Sequence, residues 1–187
     1  WTGDFENQQR ASKRLAQVVP VSIAIIFVIL FILFSNARDA GLVLLNVPFA
    51  AAGGIIALLI THFNFSISAG IGFIALFGIC IQNGVIMISG IKSNVRSHIP
   101  LSEAVKNTVR SRVRPVVMTA AMAAIGLMPA ALSHGIGSES QRPLAIVIIG
   151  GVLCDTFFTL FIFPLIVEVI YGKTLYDKEG KLRQRRV

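Results

Sequence analysis

The chain has 187 residues, of which 55% are hydrophobic and only 14% are charged, and its mean hydropathy is +0.77. A soluble domain ordinarily carries about 25% charged residues, so this composition argues against one. The net charge of +8 does not indicate a nucleic-acid partner, because aromatic residues are not interleaved with the basic ones and no nucleic-acid-binding motif is present.

The apolar residues are gathered into runs of about 20, the length a helix needs to cross a hydrocarbon core of roughly 30 Å. This pattern predicts an all-α membrane protein embedded in a lipid bilayer, with five transmembrane helices. The predicted spans are 15–34, 41–60, 67–91, 115–132 and 143–171.

The distribution of lysine and arginine predicts the orientation of these spans. The first loop, the third loop and the C-terminal tail together hold thirteen basic residues, whereas the N-terminal segment and the other two loops hold four. The side with thirteen should be the cytoplasm. We therefore expect a periplasmic pre-helix segment at 1–14 and a basic cytoplasmic tail at 172–187. An outside N-terminus without a signal sequence predicts that the chain is a fragment of a longer protein.

The third loop contains its own helical pattern. Leu101, Val105, Val109 and Val113 recur every four residues, which gives a narrow apolar stripe on an otherwise basic helix. One interpretation is an amphipathic helix at 101–114 that lies on the cytoplasmic membrane surface. The alternative is an ordinary connector with solvated charges.

Three polar side chains lie near the middle of predicted spans and require partners there. Gln82 and Asn83 are adjacent in the third span, so on a helix they point about 100° apart. Each either lines a polar path or forms interhelical hydrogen bonds, and for Asn83 we favour the second role. Asp155 is the only acidic residue near the middle of a span, and it should be partnered, protonated or in contact with water. It is either a proton-coupling group or a packed carboxyl bonded to Thr156 or Thr159.

Sulfur-containing residues also lie within the apolar runs. Met118 and Met122 are one turn apart, and thioethers suit soft metal ions, but packing is the preferred interpretation and we assign no metal site. Cys80 and Cys154 match neither a disulfide framework nor a CxxC motif, so we interpret them as packing residues. The sequence holds no HExxH motif, P-loop or nucleophile elbow. We therefore expect a protein that is not an enzyme and has no cofactor.

Six stretches in fixed order resemble the resistance-nodulation-division (RND) superfamily of transporters, in particular its heavy-metal efflux branch. They are WTGDFENQQRASKRLAQVVP, LLNVPFAAAGG, GFIALFGICIQNGVIMIS, RSRVRPVVMTA, GLMPAALSHGIGSESQRPLAIVIIGG and TLFIFPL. The resemblance covers nearly the whole chain and implies the last five helices of a twelve-helix membrane domain.

The resemblance implies a proton-driven antiporter that exports heavy-metal cations from a Gram-negative inner membrane. It also implies several partners: the missing N-terminal half and porter domain of the same protein, a homotrimer, a periplasmic adaptor protein and an outer-membrane channel. The transported ions would be protons and a metal cation.

The resemblance also suggests functional positions. Arg112 and Thr119 match positions associated with the proton relay, whereas Gln82 stands where the multidrug branch has a relay lysine. This difference favours the metal branch. The alternatives are a multidrug or other organic-substrate pump of the same superfamily, and a transport-inactive truncated membrane protein.

Overall fold

The computed structural model describes residues 2–133, 135 and 138–172, and these residues form helices joined by short turns, with no strand among them. The expected tail at 172–187 therefore lies outside the described residues apart from Gly172. The helices are α1 (Thr2–Phe34), α2 (Ala37–Leu44), α3 (Asn46–Ile60), α4 (Ile67–Arg96), α5 (Leu101–Leu132) and α6 (Ser138–Phe157), which continues through a π-helical segment (Phe158–Ile162) to Gly172.

Within the described residues, four helical stretches are long and apolar enough to cross a membrane. They are Ala37–Ile60, Ile67–Arg96, Leu101–Leu132 and Ser138–Gly172, and each contains one of the predicted spans. The fifth predicted span, 15–34, is helical, but its apolar part is Pro20–Phe34, which rises only about 22 Å at 1.5 Å per residue. The count of five spans therefore stays a prediction.

Residues 2–14 and 101–114 are parts of longer helices. The polar residues from Thr2 onward form the first turns of α1, and residues 101–114 form the first turns of α5, which continues without interruption through Pro115. The periplasmic position of the first segment and the membrane-surface position of the second stay predictions. Contacts with α4 hold this part of α5: Val105 is buried, and the Asn94 side chain donates a 2.9 Å hydrogen bond to the Thr108 hydroxyl.

The second span is divided between α2 and α3 by a turn at Leu45. Pro48 has no backbone N–H to donate to the carbonyl of Leu44, which lies four residues earlier, and proline is tolerated in the first turn of a helix. The chain therefore starts α3 at Asn46 rather than continuing α2. Asn36 is the N-cap residue of α2, and its side chain accepts a hydrogen bond from the N–H of Arg38.

Helix α6 lies at the centre of the bundle and packs against α3, α4 and α5. Its crossing with α3 depends on glycine. A Cβ atom at Gly150 would lie 2.3 Å from the Cβ of Ala57, and one at Gly53 would lie 2.3 Å from the Cβ of Cys154. These small residues allow the two backbones to approach closely, as is common between membrane helices.

Contacts at the helix ends show which ends share a side of the bundle. At one end, Lys92 of α4 contacts Asp39 of α2, which also accepts a hydrogen bond from Tyr171. At the other end, Arg142 of α6 donates to the carbonyl of Ala131 and lies over the ring of Phe63. The ends predicted to face one compartment are therefore together, and which compartment they face stays a prediction.

Candidate functional site

A buried carboxyl lies between α4 and α6. Asp155 is completely buried, and Asn83 is 6% exposed. The Asn83 Nδ2 group donates a hydrogen bond of 2.8 Å to Asp155 Oδ2. The sequence prediction that Asn83 forms an interhelical hydrogen bond is thus met, and its partner is the only acidic residue near the middle of a span.

The second oxygen of Asp155 faces its own helix. The hydroxyl of Thr159, one turn further along, lies 3.5 Å from Oδ1 at the outer limit of hydrogen bonding. Thr159 belongs to the π-helical segment, a backbone irregularity that occurs frequently at functional sites. The Cys80 thiol of α4 also lies against this carboxyl. Thr156 does not contribute, because its hydroxyl donates to the carbonyl of Val152 at 2.7 Å.

The surroundings of Asp155 along α6 are apolar. Val152, one turn before it, belongs to a buried cluster that also contains Phe73 and Cys80, and Phe158, just after it, belongs to a second cluster that also contains Met87. The carboxyl therefore lies in a largely apolar part of the bundle. We name Cys80, Asn83, Asp155 and Thr159 the Asp155 site. Three neutral side chains around one carboxyl can hold it in a fixed position and can stabilise it with or without a proton.

A further buried amide, from α3, lies against α4 next to Asn83. Asn46 is completely buried at the start of α3, and neither of its side-chain polar atoms has a hydrogen-bond partner among the described residues. Its Nδ2 atom lies 2.5 Å from the position that a Cβ atom on Gly84 would occupy. The glycine thus makes room for the amide one residue beyond Asn83.

A second polar cluster connects four helices (α1, α2, α4 and α6) at one end of the bundle. Lys92 forms a 2.7 Å ion pair with the completely buried Asp39, and its ammonium group also donates to the carbonyl of Phe34 at 3.3 Å. The hydroxyl of Tyr171 hydrogen-bonds to the other oxygen of Asp39. Because each polar group has a partner, this cluster has the character of a structural link.

The other sequence candidates do not meet the Asp155 site. Gln82 lies on the exposed face of α4, and Thr119 lies on the exposed face of α5. The Thr119 hydroxyl donates to the carbonyl of Pro115, one turn back, at 2.9 Å. Arg112 is half-buried, and its Nε atom has no hydrogen-bond partner among the described residues.

The structure also leaves the methionines apart from the buried polar residues. Met118 is 64% exposed and Met122 is 73% exposed on the outer surface of α5. Among the described residues, no three His, Cys, Asp or Glu side chains are grouped so that they could hold a metal ion. The two cysteines are free thiols.

Sequence reasoning missed Asn46, Cys80 and the Asp39 cluster as polar sites. Asn46 carries the same signal that singled out Asn83, namely an amide within an apolar run. Asp39 and Tyr171 lie at the ends of predicted spans, where polar residues are ordinary. Only the tertiary packing brings them to Lys92, so the sequence offered no comparable signal.

Nearly the whole chain matches known proteins, both in sequence and in fold. Residues 1–171 match the model of the AcrB/AcrD/AcrF family. The chain belongs to this family. The predicted resemblance to RND transporters is thereby confirmed.

The family members most similar to the chain include metal-resistance proteins. The chain is 44% identical over 173 residues to the cobalt-zinc-cadmium resistance protein CzcA of Cupriavidus metallidurans, an alignment covering 92% of the chain and 16% of CzcA. It is 42% identical over 170 residues to the nickel and cobalt resistance protein CnrA of the same organism, which covers 91% of the chain and 16% of CnrA.

The fold agrees with the crystal structure of a heavy metal efflux pump, with a TM-score of 0.81 and 45% identity over 90% of the chain and 17% of that pump. The chain therefore spans about one sixth of the length of these relatives.

Proposed function

We propose that the chain forms the second half of the membrane domain of a proton-driven pump that exports heavy-metal cations. The observation that carries this proposal is the similarity, at 44% identity, to a cobalt-zinc-cadmium resistance protein over 92% of the chain. The structure supports a role within a membrane, since four helical stretches of the described residues are long and apolar enough to cross one.

The remainder of the pump would come from other parts of the same protein and from partners. The proposal includes an N-terminal half and a porter domain outside this chain, a homotrimer, a periplasmic adaptor and an outer-membrane channel. We place the pump in a Gram-negative inner membrane, with the N-terminus of this chain in the periplasm and its C-terminus in the cytoplasm. The basic residues of the first loop, the third loop and the tail support this orientation.

The proposal is tested by metal tolerance in cells. The intact natural gene is expressed in a host that lacks its own metal exporters, together with its native adaptor and outer-membrane channel. Growth is then measured against cobalt, zinc, cadmium and nickel, and against a panel of organic dyes and antibiotics. An immunoblot of the membrane fraction confirms equal amounts of protein in each strain.

We expect increased tolerance of at least one metal and unchanged tolerance of the organic compounds. Tolerance of the organic compounds alone would contradict the proposal and favour a multidrug pump. No gain in any tolerance from an abundant membrane protein would favour a transport-inactive protein. Intracellular metal content, measured in the same cells, distinguishes export from sequestration.

A further inference from the structure

We propose that Asp155 is a proton-binding site in α6 that is loaded and unloaded during the transport cycle. The step is simple: the carboxylate takes up one proton to become a carboxylic acid and later releases it on the other side. The inference deepens the proposed function, since it rests on a proton-driven pump. It adds to the acidic residues expected in the half that lies outside this chain.

The charge environment of Asp155 favours a group that changes protonation. The helices packed against α6 supply no ionic partner at its depth. No charged residue occurs in α3, between Ile67 and Ile91 of α4, or between Pro115 and Leu132 of α5. A carboxylate without a counter-charge is costly in hydrocarbon, so loading with a proton relieves that cost.

The titratable groups near Asp155 are two thiols. Cys80 faces it from α4, and Cys154 is its neighbour on α6. The nearest ionic group on α4 is Lys92, which lies nine residues beyond Asn83 and so about 14 Å further along the helix. Lys92 is already paired with Asp39. Neither thiol carries a positive charge that could neutralise the Asp155 carboxylate. A bound proton is therefore the way in which this site becomes neutral.

The hydrogen bonds of the site suit both protonation states. The Asn83 amide donates to Oδ2 in either state. The Thr159 hydroxyl beside Oδ1 can donate to a carboxylate or accept from a carboxylic acid, because a hydroxyl is both donor and acceptor and rotates. The carboxyl therefore has hydrogen-bond partners both with and without the proton. A group that alternates between the two states needs such partners in each.

The backbone near the site is irregular on two elements. The π-helical segment of α6 begins three residues after Asp155, and α2 gives way to α3 at the residue before Asn46. The ring of Phe49 in α3 stacks on that of Phe158 in the π-helical segment, with centroids 3.9 Å apart. The buried Asn46 amide, which has no hydrogen-bond partner among the described residues, is a second polar group and lies against Gly84 of α4. The Asp155 site is therefore flanked by two backbone irregularities and by a second buried polar side chain.

The experiment uses the intact natural protein, purified and reconstituted into lipid, and three variants. Thermal unfolding checks that each variant is folded like the wild type. Asp155→Asn keeps the shape and removes the titration. Glu139→Gln makes the same carboxyl-to-amide change at an exposed position of the same helix. Thr159→Val removes the hydroxyl beside Oδ1. Infrared difference spectra across pH report the C=O stretch of protonated carboxyls, and export is measured in the same preparations.

We expect a carboxyl band that titrates with pH in the wild-type protein and in Glu139→Gln, that is lost in Asp155→Asn and that shifts in frequency in Thr159→Val. Export should be lost in Asp155→Asn and kept in Glu139→Gln. An unchanged set of bands in Asp155→Asn would overturn the proposal, even if export were lost, because the role would then be structural. Wild-type export in Asp155→Asn would also overturn it. If the Asp155 band titrates but the wild-type protein moves no metal, Asp155 binds a proton as proposed, and the proposed function is wrong.

Discussion

The Lys92 ammonium group lies 2.7 Å from a carboxyl oxygen of Asp39, and this ion pair links α4 to α2 at one end of the bundle. Asp39 is completely buried, whereas Lys92 is 28% exposed. Replacing Lys92 with methionine would leave a buried carboxylate that keeps its hydrogen bond from Tyr171 but has lost its ion-pair partner. We predict that Lys92→Met lowers the free energy of unfolding by about 2–3 kcal/mol, below the roughly 3–5 kcal/mol of a fully buried ion pair, because Lys92 is partly exposed.

The measurement for this prediction is a double-mutant cycle with Asp39→Asn, followed by unfolding in detergent micelles. The double variant should recover part of the loss, because no unpaired charge remains. Lys106→Met, at an exposed position of α5, is the matched control and should change stability by less than about 0.5 kcal/mol. Strictly additive effects of the two substitutions would show that the ion pair contributes nothing.

A methyl group added at Gly150 should disrupt the crossing of α3 and α6. Its Cβ would lie 2.3 Å from that of Ala57 and 2.9 Å from the carbonyl oxygen of Gly53, and neither atom can move without shifting a backbone. We predict that Gly150→Ala destabilises the bundle by about 1–3 kcal/mol, as overpacking does. Gly126→Ala, where a Cβ meets nothing within 4 Å, should be neutral or slightly stabilising. Equal melting temperatures for the two variants would refute this explanation.

The adjacent amides Asn83 and Gln82 should differ in their contribution to stability. Asn83→Ala removes the 2.8 Å hydrogen bond to the buried Asp155. We expect a loss of about 1–2 kcal/mol, above the ~0.6 kcal/mol average of interhelical hydrogen bonds in membranes, because Asp155 loses its best-placed donor. Gln82→Ala changes an exposed residue and should alter stability by less than about 0.5 kcal/mol. Chemical unfolding of both variants in the same micelles gives the comparison, and a larger loss for Gln82 would contradict the geometry.

Arg142 should hold the end of α5 against the turn between α3 and α4. Its Nε atom donates to the carbonyl of Ala131 at 3.2 Å, and its guanidinium lies 4.9 Å from the centroid of the Phe63 ring. Arg142→Gln should increase hydrogen–deuterium exchange in residues 61–66 and near Ala131, since both contacts depend on the guanidinium group. Arg142→Lys keeps the charge and should show an intermediate increase. Unchanged exchange in both segments would mean that the contacts do not restrain this end.

The sequence predicted much of the fold because hydrocarbon imposes simple length and polarity limits on a helix. The apolar runs located the four spanning stretches that the structure contains. The turn at Leu45 was not predicted, although Pro48 stands three residues later. Proline is tolerated within membrane helices, so the sequence does not say whether a span bends or restarts.

Residues 101–114 were predicted as a separate helix because their apolar stripe and basic charge suit a membrane surface. In the structure these residues are the first turns of the longer helix α5, where Val105 is buried and Thr108 is hydrogen-bonded to Asn94 of α4, and their position at a membrane surface stays a prediction.

The candidate site was predicted in part. Asp155 and Asn83 were predicted separately as polar residues at mid-span, and no sequence pattern pairs two residues that are 72 positions apart. Thr159 was one of two threonines expected near Asp155; it lies one turn along on the same face, whereas the Thr156 hydroxyl bonds to the carbonyl of Val152. Gln82 and Thr119 lie on faces that this chain does not cover. The polar path expected at Gln82 and the relay position that the resemblance suggests for Thr119 stay predictions.

The most direct test of the proposed pump uses the intact natural protein in sealed proteoliposomes, with a pH-sensitive dye inside and an imposed gradient of zinc or cobalt. We predict that the metal gradient drives proton movement in the opposite direction, and that an imposed proton gradient drives metal uptake against its own gradient. Metal movement that is independent of the proton gradient would contradict proton-driven antiport, and the absence of any metal movement by folded protein would contradict the account as a whole.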